Sequence, residues 1–227
     1  MMTNLFSTFD PATSLKMSMN WLSSMINYMI IPVSFWLLPN RIMIMLLKMI
    51  MMLNMELKML LGNKGEGMTI MGITMFMFIL MNNIMGLLPY IFTSTSHLAF
   101  TMSMALPIWL SLMMYGWINN TTHMFTHLLP SGTPKMLMPF MVMIETISNF
   151  IRPGALSVRL MANMIAGHLL MSLLGNNMSS ASGLMMPFIV MIQMLLMMFE
   201  MAVAIIQAYV FSVLSTLYAS EVLYENM

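Results

Sequence analysis

Charged side chains are scarce in this chain. Only 7% of its 227 residues are Asp, Glu, Lys or Arg, whereas 60% are hydrophobic, and a soluble domain typically has about 25% charged residues. The polar residues are too few to cover a water-soluble particle of this size, so the composition indicates a polytopic membrane protein. A net charge of +1 without clustered Lys and Arg excludes nucleic acid as a partner.

Residues that carry common catalytic or metal-binding chemistry are also missing. The chain has no cysteine, which excludes disulfides and thiolate metal sites. It contains no GxSxG or HExxH motif and no paired aspartates, so an intramembrane hydrolase would lack its nucleophile and base. His123 and His127 are four residues apart, which alone is weak evidence for a metal site. We therefore expect no cofactor, no metal and no bond-making catalysis in this chain.

The hydrophobic runs predict one membrane domain over residues 1–227. Residues 68–134 contain no Lys, Arg, Asp or Glu and fit two membrane-spanning helices. The first 20 residues have no basic n-region and no Arg-rich amphipathic pattern, so we expect neither a cleaved signal nor an import peptide. The predicted elements are a tail (1–20), helix 1 (21–38), an interfacial helix (41–61), helices 2 and 3 (68–88 and 98–118), and two long helices (135–174 and 184–220).

The segment 41–61 differs from the other runs because it carries four charges. Arg41 and Lys48 are seven residues apart and share a helical face, among Met, Leu and Ile. An amphipathic helix lying in the membrane plane is the preferred interpretation. A second membrane span is the alternative, and its charges count against it.

The last two runs are unusually long. At 1.5 Å per residue each helix would measure roughly 50–60 Å, far more than a hydrocarbon core of about 30 Å. Pro153 could kink the first run, but no polar break divides either one. We expect two long tilted helices that form a hairpin, with the turn-rich stretch Gly175–Gly183 between them.

The basic residues also predict an orientation. Four Lys and Arg lie between Arg41 and Lys64, the densest basic stretch in the chain. The positive-inside rule places this stretch on the cytoplasmic or matrix side, which we call the inner side. With about five crossings, the N-terminus is then outside and the C-terminus inside.

Ionisable residues within the long pair are the strongest functional signal. A charge at the bilayer centre costs about 2.5–3.5 kcal/mol on insertion scales, so such residues are functional by default. At 100° per residue, one stripe of the first long helix lies within about 60° of Glu145, and His168 points about 140° away. Glu200 and Gln207 share a face of the second helix. The stripe contains Glu145, Ser148, Arg152, Arg159 and Asn163.

These side chains suit two proton paths separated by a positive barrier. Carboxylates and imidazole pass protons, whereas guanidinium does not, because its pKa exceeds about 12. Glu145 lies toward the inner side, His168 toward the outer side and Arg159 between them. Two structural alternatives remain open: Glu145 and Arg152 could form an ion pair, and His168 could be a hydrogen-bonded packing residue. Asn82 and Asn83, in helix 2, could join helices by hydrogen bonds or line a water-filled path.

Three stretches carry a resemblance to a known family. They are LSVRLMANMIAGHLL (Leu156–Leu170), EMAVAIIQAYVFSVLSTLY (Glu200–Tyr218) and MVMIETISNFIRPGALS (Met141–Ser157). Together they resemble subunit a of F-type ATP synthases in its mitochondrial form. The resemblance is strongest from Leu137 to the C-terminus, and the N-terminal part matches only loosely.

The resemblance implies a role for each matched residue. Arg159 is similar to the family's essential arginine, which faces the carboxylates of the rotating c-ring in another chain. His168 and Glu200 match the half-channel from the intermembrane space, and Glu145 matches the matrix half-channel. Asn163 and Gln207 match polar residues that flank the arginine. The resemblance assigns no role to Arg152 and Ser148, for which we expect a structural or channel role from their place on the stripe.

The resemblance also implies surroundings and partners. We expect the mitochondrial inner membrane, with the N-terminus toward the intermembrane space and the C-terminus toward the matrix. The partners would be the c-ring, other membrane-sector and peripheral-stalk subunits, the lipid bilayer and protons. The rival interpretation is a standalone ion channel or transporter, although transporters often contain inverted repeats and none is visible in this sequence.

Overall fold

The structure is a computed structural model that describes residues 5–14, 17–30, 38–62, 65–129, 134, 136–180 and 183–223. Within these ranges the chain forms seven α-helices and no β-strand. This confirms the predicted all-α polytopic class. The helices are α1 (Ser23–Ile30), α2 (Arg41–Leu61), α3 (Glu66–Gly86), α4 (Leu98–Asn119), α5 (Thr121–His127), α6 (Met138–Ser180) and α7 (Met186–Leu223).

Four of the described helices are long and apolar enough to cross a membrane. They are α3, α4, α6 and α7, which correspond to the last four predicted spans. The predicted first span, 21–38, lies partly outside the described residues. Its described part contains α1, which has eight residues.

Helix α2 has the bounds predicted for the interfacial helix and ends at Gly62, whose φ of 68° favours glycine. Its buried side chains Leu57 and Leu61 face α3 and α7. The hydroxyl of Tyr209 on α7 donates a hydrogen bond to Oε2 of Glu56, at 3.1 Å. The helix is therefore fixed to the bundle, and its position in the membrane plane stays a prediction.

The two long helices exceed the thickness of a bilayer, as predicted. Helix α6 has 43 residues and α7 has 38, or roughly 65 and 57 Å at 1.5 Å per residue. Helix α6 continues through Ser180, so the predicted turn at Gly175–Gly183 begins six residues too early. The polar residues there support the helix, because the hydroxyl of Ser179 donates to the Asn176 carbonyl at 2.7 Å. Pro153 is buried and lies within the helix without interrupting it.

Small residues of α7 allow the helices to pack closely. A stripe with a spacing of three or four residues is almost fully buried: Ala204, Ala208, Ser212, Thr216 and Ala219, each at most 1% exposed. Such residues let neighbouring backbones approach, and α7 contacts α2, α3, α4 and α6. The large apolar side chains of the core, among them Ile79, Leu80, Leu160 and Phe211, surround this stripe.

Small residues of α6 behave differently. Ala155, Ala162 and Ala166 are exposed, although their size would suit packing within the chain. These three alanines therefore form an open apolar face of α6, whereas other small residues of the same helix, such as Ser157, are buried.

Candidate functional site

Arg159 lies on the open face of α6. Its side chain is exposed, and no described residue forms a hydrogen bond or an ion pair with it. Ala155 and Ala162, about one turn to either side, are exposed too. A permanent cation on an apolar span is costly without a counter-charge, and none of the described residues supplies one to Arg159.

Arg152, seven residues earlier, is paired with acidic side chains of the same chain. Its Nη1 donates a hydrogen bond to Oε2 of Glu221 at 2.8 Å, and its Nη2 is 3.7 Å from Oε1 of Glu145. The guanidinium also lies over the ring of Tyr218, 5.2 Å from its centroid. The ion pair between Glu145 and Arg152, one of the two structural alternatives left open by the sequence, is therefore present, but the shorter contact of Arg152 is with Glu221.

The role of Glu221 was not recognised in the sequence. Its partner lies 69 residues away on another helix, so the pairing depends on the register between α6 and α7. One signal was available, because Glu200 and Glu221 are the only acidic residues of α7.

An inner cleft of about 270 Å³ connects the two arginines. Ser148, Arg152, Arg159 and Tyr218 line it, together with apolar residues. The hydroxyl of Ser148 donates to the Glu145 carbonyl within α6 at 2.9 Å. The cleft thus runs from the Arg152 ion pair to the unpaired Arg159.

A larger outer cavity of about 790 Å³ surrounds His168. Its walls come from the N-terminal segment, the connection between α3 and α4, and the adjoining parts of α6 and α7. Its polar lining includes Asp10, Asn20, His168 and Gln193. The ring of Phe9 meets the imidazole edge-on, with ring centroids 6.3 Å apart.

His168 and Glu200 both have buried polar atoms without partners. Nε2 of His168 and Oε1 of Glu200 make no hydrogen bond to any described residue. Leaving such a group unsatisfied costs about 1–3 kcal/mol, and a bound water or a transferred proton would relieve that cost. Both atoms are thus free to bind a water molecule or a proton donor.

The carboxyl group of Glu200 lies beside the α6 backbone at Gly167, the residue before His168. A Cβ placed on Gly167 would be 2.7 Å from Cδ and from Oε1 of Glu200. The structure thus brings the predicted outer carboxylate of α7 to the level of the predicted outer histidine of α6.

The predicted polar residues around the arginine vary in their contacts. Asn163 and Gln207 are partly buried, and their side-chain amides form no hydrogen bond with any described residue. Asn83 is fully buried and donates to the Ala204 carbonyl of α7 at 3.3 Å. Asn82 accepts a hydrogen bond from Ser94 at 3.2 Å. Asn82 and Asn83, in predicted helix 2 (α3), therefore form hydrogen bonds to other elements, in line with the first of the two interpretations.

The outer cavity and the inner cleft are separate. They share no lining residue, and His168 lies nine residues beyond Arg159 on α6, which is about 14 Å along the helix. Residues from the start of α7 line the outer cavity, whereas Tyr218, near its end, lines the inner cleft. The two long helices are therefore antiparallel, as expected of a hairpin.

Acidic and histidine side chains do not cluster as metal ligands. Among the described residues no group of three or more His, Asp or Glu is arranged to hold a metal ion. The side chain of His127, half of the weak i, i+4 pair, lies outside the described residues.

Comparisons with known proteins agree with the resemblance found in the sequence. The profile of the ATP synthase A chain family matches residues 17–220. ATP synthase subunit a of Locusta migratoria is 61% identical over 224 residues, which cover 98% of this chain and 100% of the relative. The subunits a of Drosophila melanogaster and Anopheles gambiae are each 59% identical, over 223 and 225 residues, with the same coverage.

Proposed function

The chain belongs to the ATP synthase A chain family, and we propose that it is the proton-translocating stator subunit of the ATP synthase membrane sector. In this role it offers two offset half-channels to the carboxylates of a rotating c-ring. Protons that cross from one half-channel to the other, carried by the ring, drive rotation and hence ATP synthesis. The chain itself makes and breaks no covalent bond of the nucleotide.

The observation that carries this proposal is the exposed, unpaired Arg159. Ala155, Ala162 and Ala166 form a small-residue face around it, and small residues permit another helix to approach closely. A carboxylate on that helix would supply the missing counter-charge. Arg159 cannot lose its proton, so it stabilises the ionised ring carboxylate without passing the proton itself.

The outer cavity supports a path from the intermembrane space. It is large enough for many waters, and it reaches the imidazole of His168. Glu200, with its buried unpartnered oxygen, continues the path toward the middle of the helix pair. Gln207, seven residues beyond Glu200, and Asn163, one turn beyond Arg159, flank the barrier.

The inner cleft supports the exit path to the matrix. It begins at Arg159 and ends at Arg152, whose carboxylate partners Glu145 and Glu221 can accept a proton from water. Ser148 lines the same cleft. Glu145 would act as a proton acceptor, and its contact with Arg152, which lines the cleft, supports this role.

The proton cycle follows from these positions. A ring carboxylate that faces lipid is neutral, because an exposed charge there is costly. It is protonated from the outer path, travels nearly a full turn, and loses its proton to the inner path. The anion then passes Arg159, which blocks direct leakage between the paths. Each charge that crosses supplies about 2.3 kcal/mol per 100 mV of membrane potential.

This function places the chain in the mitochondrial inner membrane as a multi-pass subunit. The basic α2 then lies on the matrix side and the N-terminus in the intermembrane space, following the positive-inside rule. Its partners would be the c-ring and further membrane-sector and peripheral-stalk subunits. A single membrane domain over residues 1–227 is part of this proposal.

Cross-linking in the assembled synthase tests the proposed contact. The chain has no cysteine, so Ala162→Cys introduces a unique thiol on the exposed face. We expect it to form a disulfide with a cysteine placed one turn from the ring carboxylate. Tyr209→Cys, which is exposed on the side of α7 that faces α2, serves as the control and should not react. A cross-link from Tyr209→Cys but none from Ala162→Cys would contradict the proposal.

A further inference from the structure

The N-terminal segment, residues 5–14 and 17–22, supplies one wall of the outer cavity. Its short 3-10 helix, Leu5–Phe9, contacts α6, and the ring of Phe9 meets the imidazole of His168 edge-on, with ring centroids 6.3 Å apart. Asp10 is the next residue and lines the same cavity. The fold therefore places an aspartate in the wall of the cavity that reaches His168.

Hydrogen bonds of the N-terminal segment hold Asp10 in this wall. Its Oδ1 accepts a hydrogen bond from the backbone N–H of Ala12 at 3.1 Å, which is the pattern of an Asx turn. The side-chain amide of Asn20 donates to the Asp10 carbonyl at 3.3 Å. The Asp10 side chain is exposed, and its Oδ2 forms no hydrogen bond with any described residue. The carboxylate thus has a fixed position and one oxygen open to water.

Asp10 also determines the charge of this cavity. The titratable residues among its described lining are Asp10, Tyr90 and His168, and no Lys or Arg is among them. Of the three, only the carboxylate carries a full charge at neutral pH. A negative charge in an open cleft raises the local concentration of cations and the rate at which they arrive. The cavity wall therefore favours the entry of protons.

We propose that Asp10 is the proton-collecting residue of the outer path. Its carboxylate attracts protons from the surrounding water into the cavity, and water carries them to Nε2 of His168, which is buried without a hydrogen-bond partner among the described residues. Asp10 acts before the transfer to the ring and sets the rate at which protons reach the imidazole. This inference rests on the proposed role of the outer cavity and adds the N-terminal segment to the path.

Asp10→Asn tests the charge, because the asparagine oxygen can accept the same hydrogen bond from Ala12 and keep the turn. The measurement is ATP synthesis driven by a proton gradient, per assembled synthase, in membrane vesicles at neutral outer pH and low salt. Asp10→Asn should slow synthesis by about tenfold, the lower end of the range for electrostatic steering. Asp10→Glu keeps the charge and should retain most of the wild-type rate. Equal slowing in the two variants would overturn the inference.

Salt dependence separates a charge effect from a structural one. The Debye length is about 30 Å at 0.01 M ionic strength and about 3 Å at 1 M, so the field of Asp10 extends beyond the cavity only at low salt. The ratio of the wild-type rate to the Asp10→Asn rate should therefore fall from about tenfold to near one over this range. General effects of salt on the synthase cancel in this ratio. A ratio that stays constant would contradict the proposed role.

Thr8→Ala provides a matched control in the same wall. Thr8 lines the cavity and is exposed, and its hydroxyl donates a hydrogen bond to the Leu5 carbonyl at 3.1 Å. This substitution removes a polar group of the N-terminal segment without a change of charge. It should leave the rate and its salt dependence as in the wild type. Slowing as large as that of Asp10→Asn would show that any disturbance of this wall has the same effect and would refute the inference.

His168→Ala tests the underlying path separately. Normal synthesis in that variant would refute the outer path, and the role of Asp10 with it. Slowed synthesis in His168→Ala, together with a normal Asp10→Asn variant, would refute only the role of Asp10.

Discussion

Arg152 and Glu221 join the two long helices by a hydrogen-bonded ion pair, with Nη1 and Oε2 2.8 Å apart. Arg159 lies seven residues further along the same helix and has no such partner among the described residues. The two arginines lie in the same apolar run of the sequence, but only one of them has an acidic partner in the structure. One charge is neutralised within the chain, and the other has no counter-charge among the described residues.

This difference predicts that the same substitution affects stability at one arginine and not at the other. Arg152→Gln should destabilise the subunit by about 1 kcal/mol, the upper range for a partly exposed pair. For a chain of this size that lowers the unfolding midpoint by about 2–4 °C. Arg159→Gln should leave the midpoint unchanged, because no intrachain contact is lost. Thermal unfolding of the purified subunit in detergent, followed by circular dichroism, measures both.

The two variants also serve as controls for each other. If Arg159→Gln lowers the unfolding midpoint and Arg152→Gln leaves it unchanged, the ion pair between Arg152 and Glu221 is absent from the folded subunit.

His168 should be needed for fast proton entry but not for assembly. We expect His168→Ala to slow proton-driven synthesis about 100-fold or more, the usual contribution of a positioned proton-transfer group. Ser172→Ala changes a residue of the same cavity whose hydroxyl already bonds the Leu169 carbonyl at 2.9 Å, and it should have no effect. Proton flux through the reconstituted synthase gives the comparison, and equal flux in the two variants would remove His168 from the path.

The proposed orientation predicts which side of the membrane each residue faces. Asn20 lines the outer cavity, and Lys48 is exposed on α2. Each can be replaced by cysteine, as Asn20→Cys and Lys48→Cys. A membrane-impermeant thiol reagent should label the former from the intermembrane side and the latter from the matrix side. Vesicles of both orientations provide the measurement. Labelling of both residues from one side would show that the positive-inside assignment is wrong.

Much of the fold follows from periodicity and hydropathy alone. The bounds of α2 and the start of α4 were predicted correctly, because charges and polar turns mark them clearly. The end of α6 was placed too early, since serine and asparagine are typical of turns and yet their side chains can bond to the carbonyls of their own helix, as Ser179 does. Composition does not distinguish these two outcomes.

The site could be predicted only within each helix. Spacing along α6 places Arg159 and Asn163 on one face, but it contains no information on which residue of α7 comes opposite. The pairing of Arg152 with Glu221 and the seat of Glu200 on Gly167 both depend on the register between two helices. That register becomes visible only once the helices are packed, because it depends on contacts between residues far apart in the sequence.

Passive proton conduction in an Arg159→Ala variant tests the central claim most directly. The claim is that this cation separates two water-accessible paths at the surface of the ring. In vesicles that contain the assembled synthase, Arg159→Ala should lose gradient-driven ATP synthesis and dissipate an imposed proton gradient. Arg159→Lys should also lose synthesis, because an ammonium buried against the ring can release its proton. Normal synthesis in Arg159→Ala, without added leakage, would contradict the account.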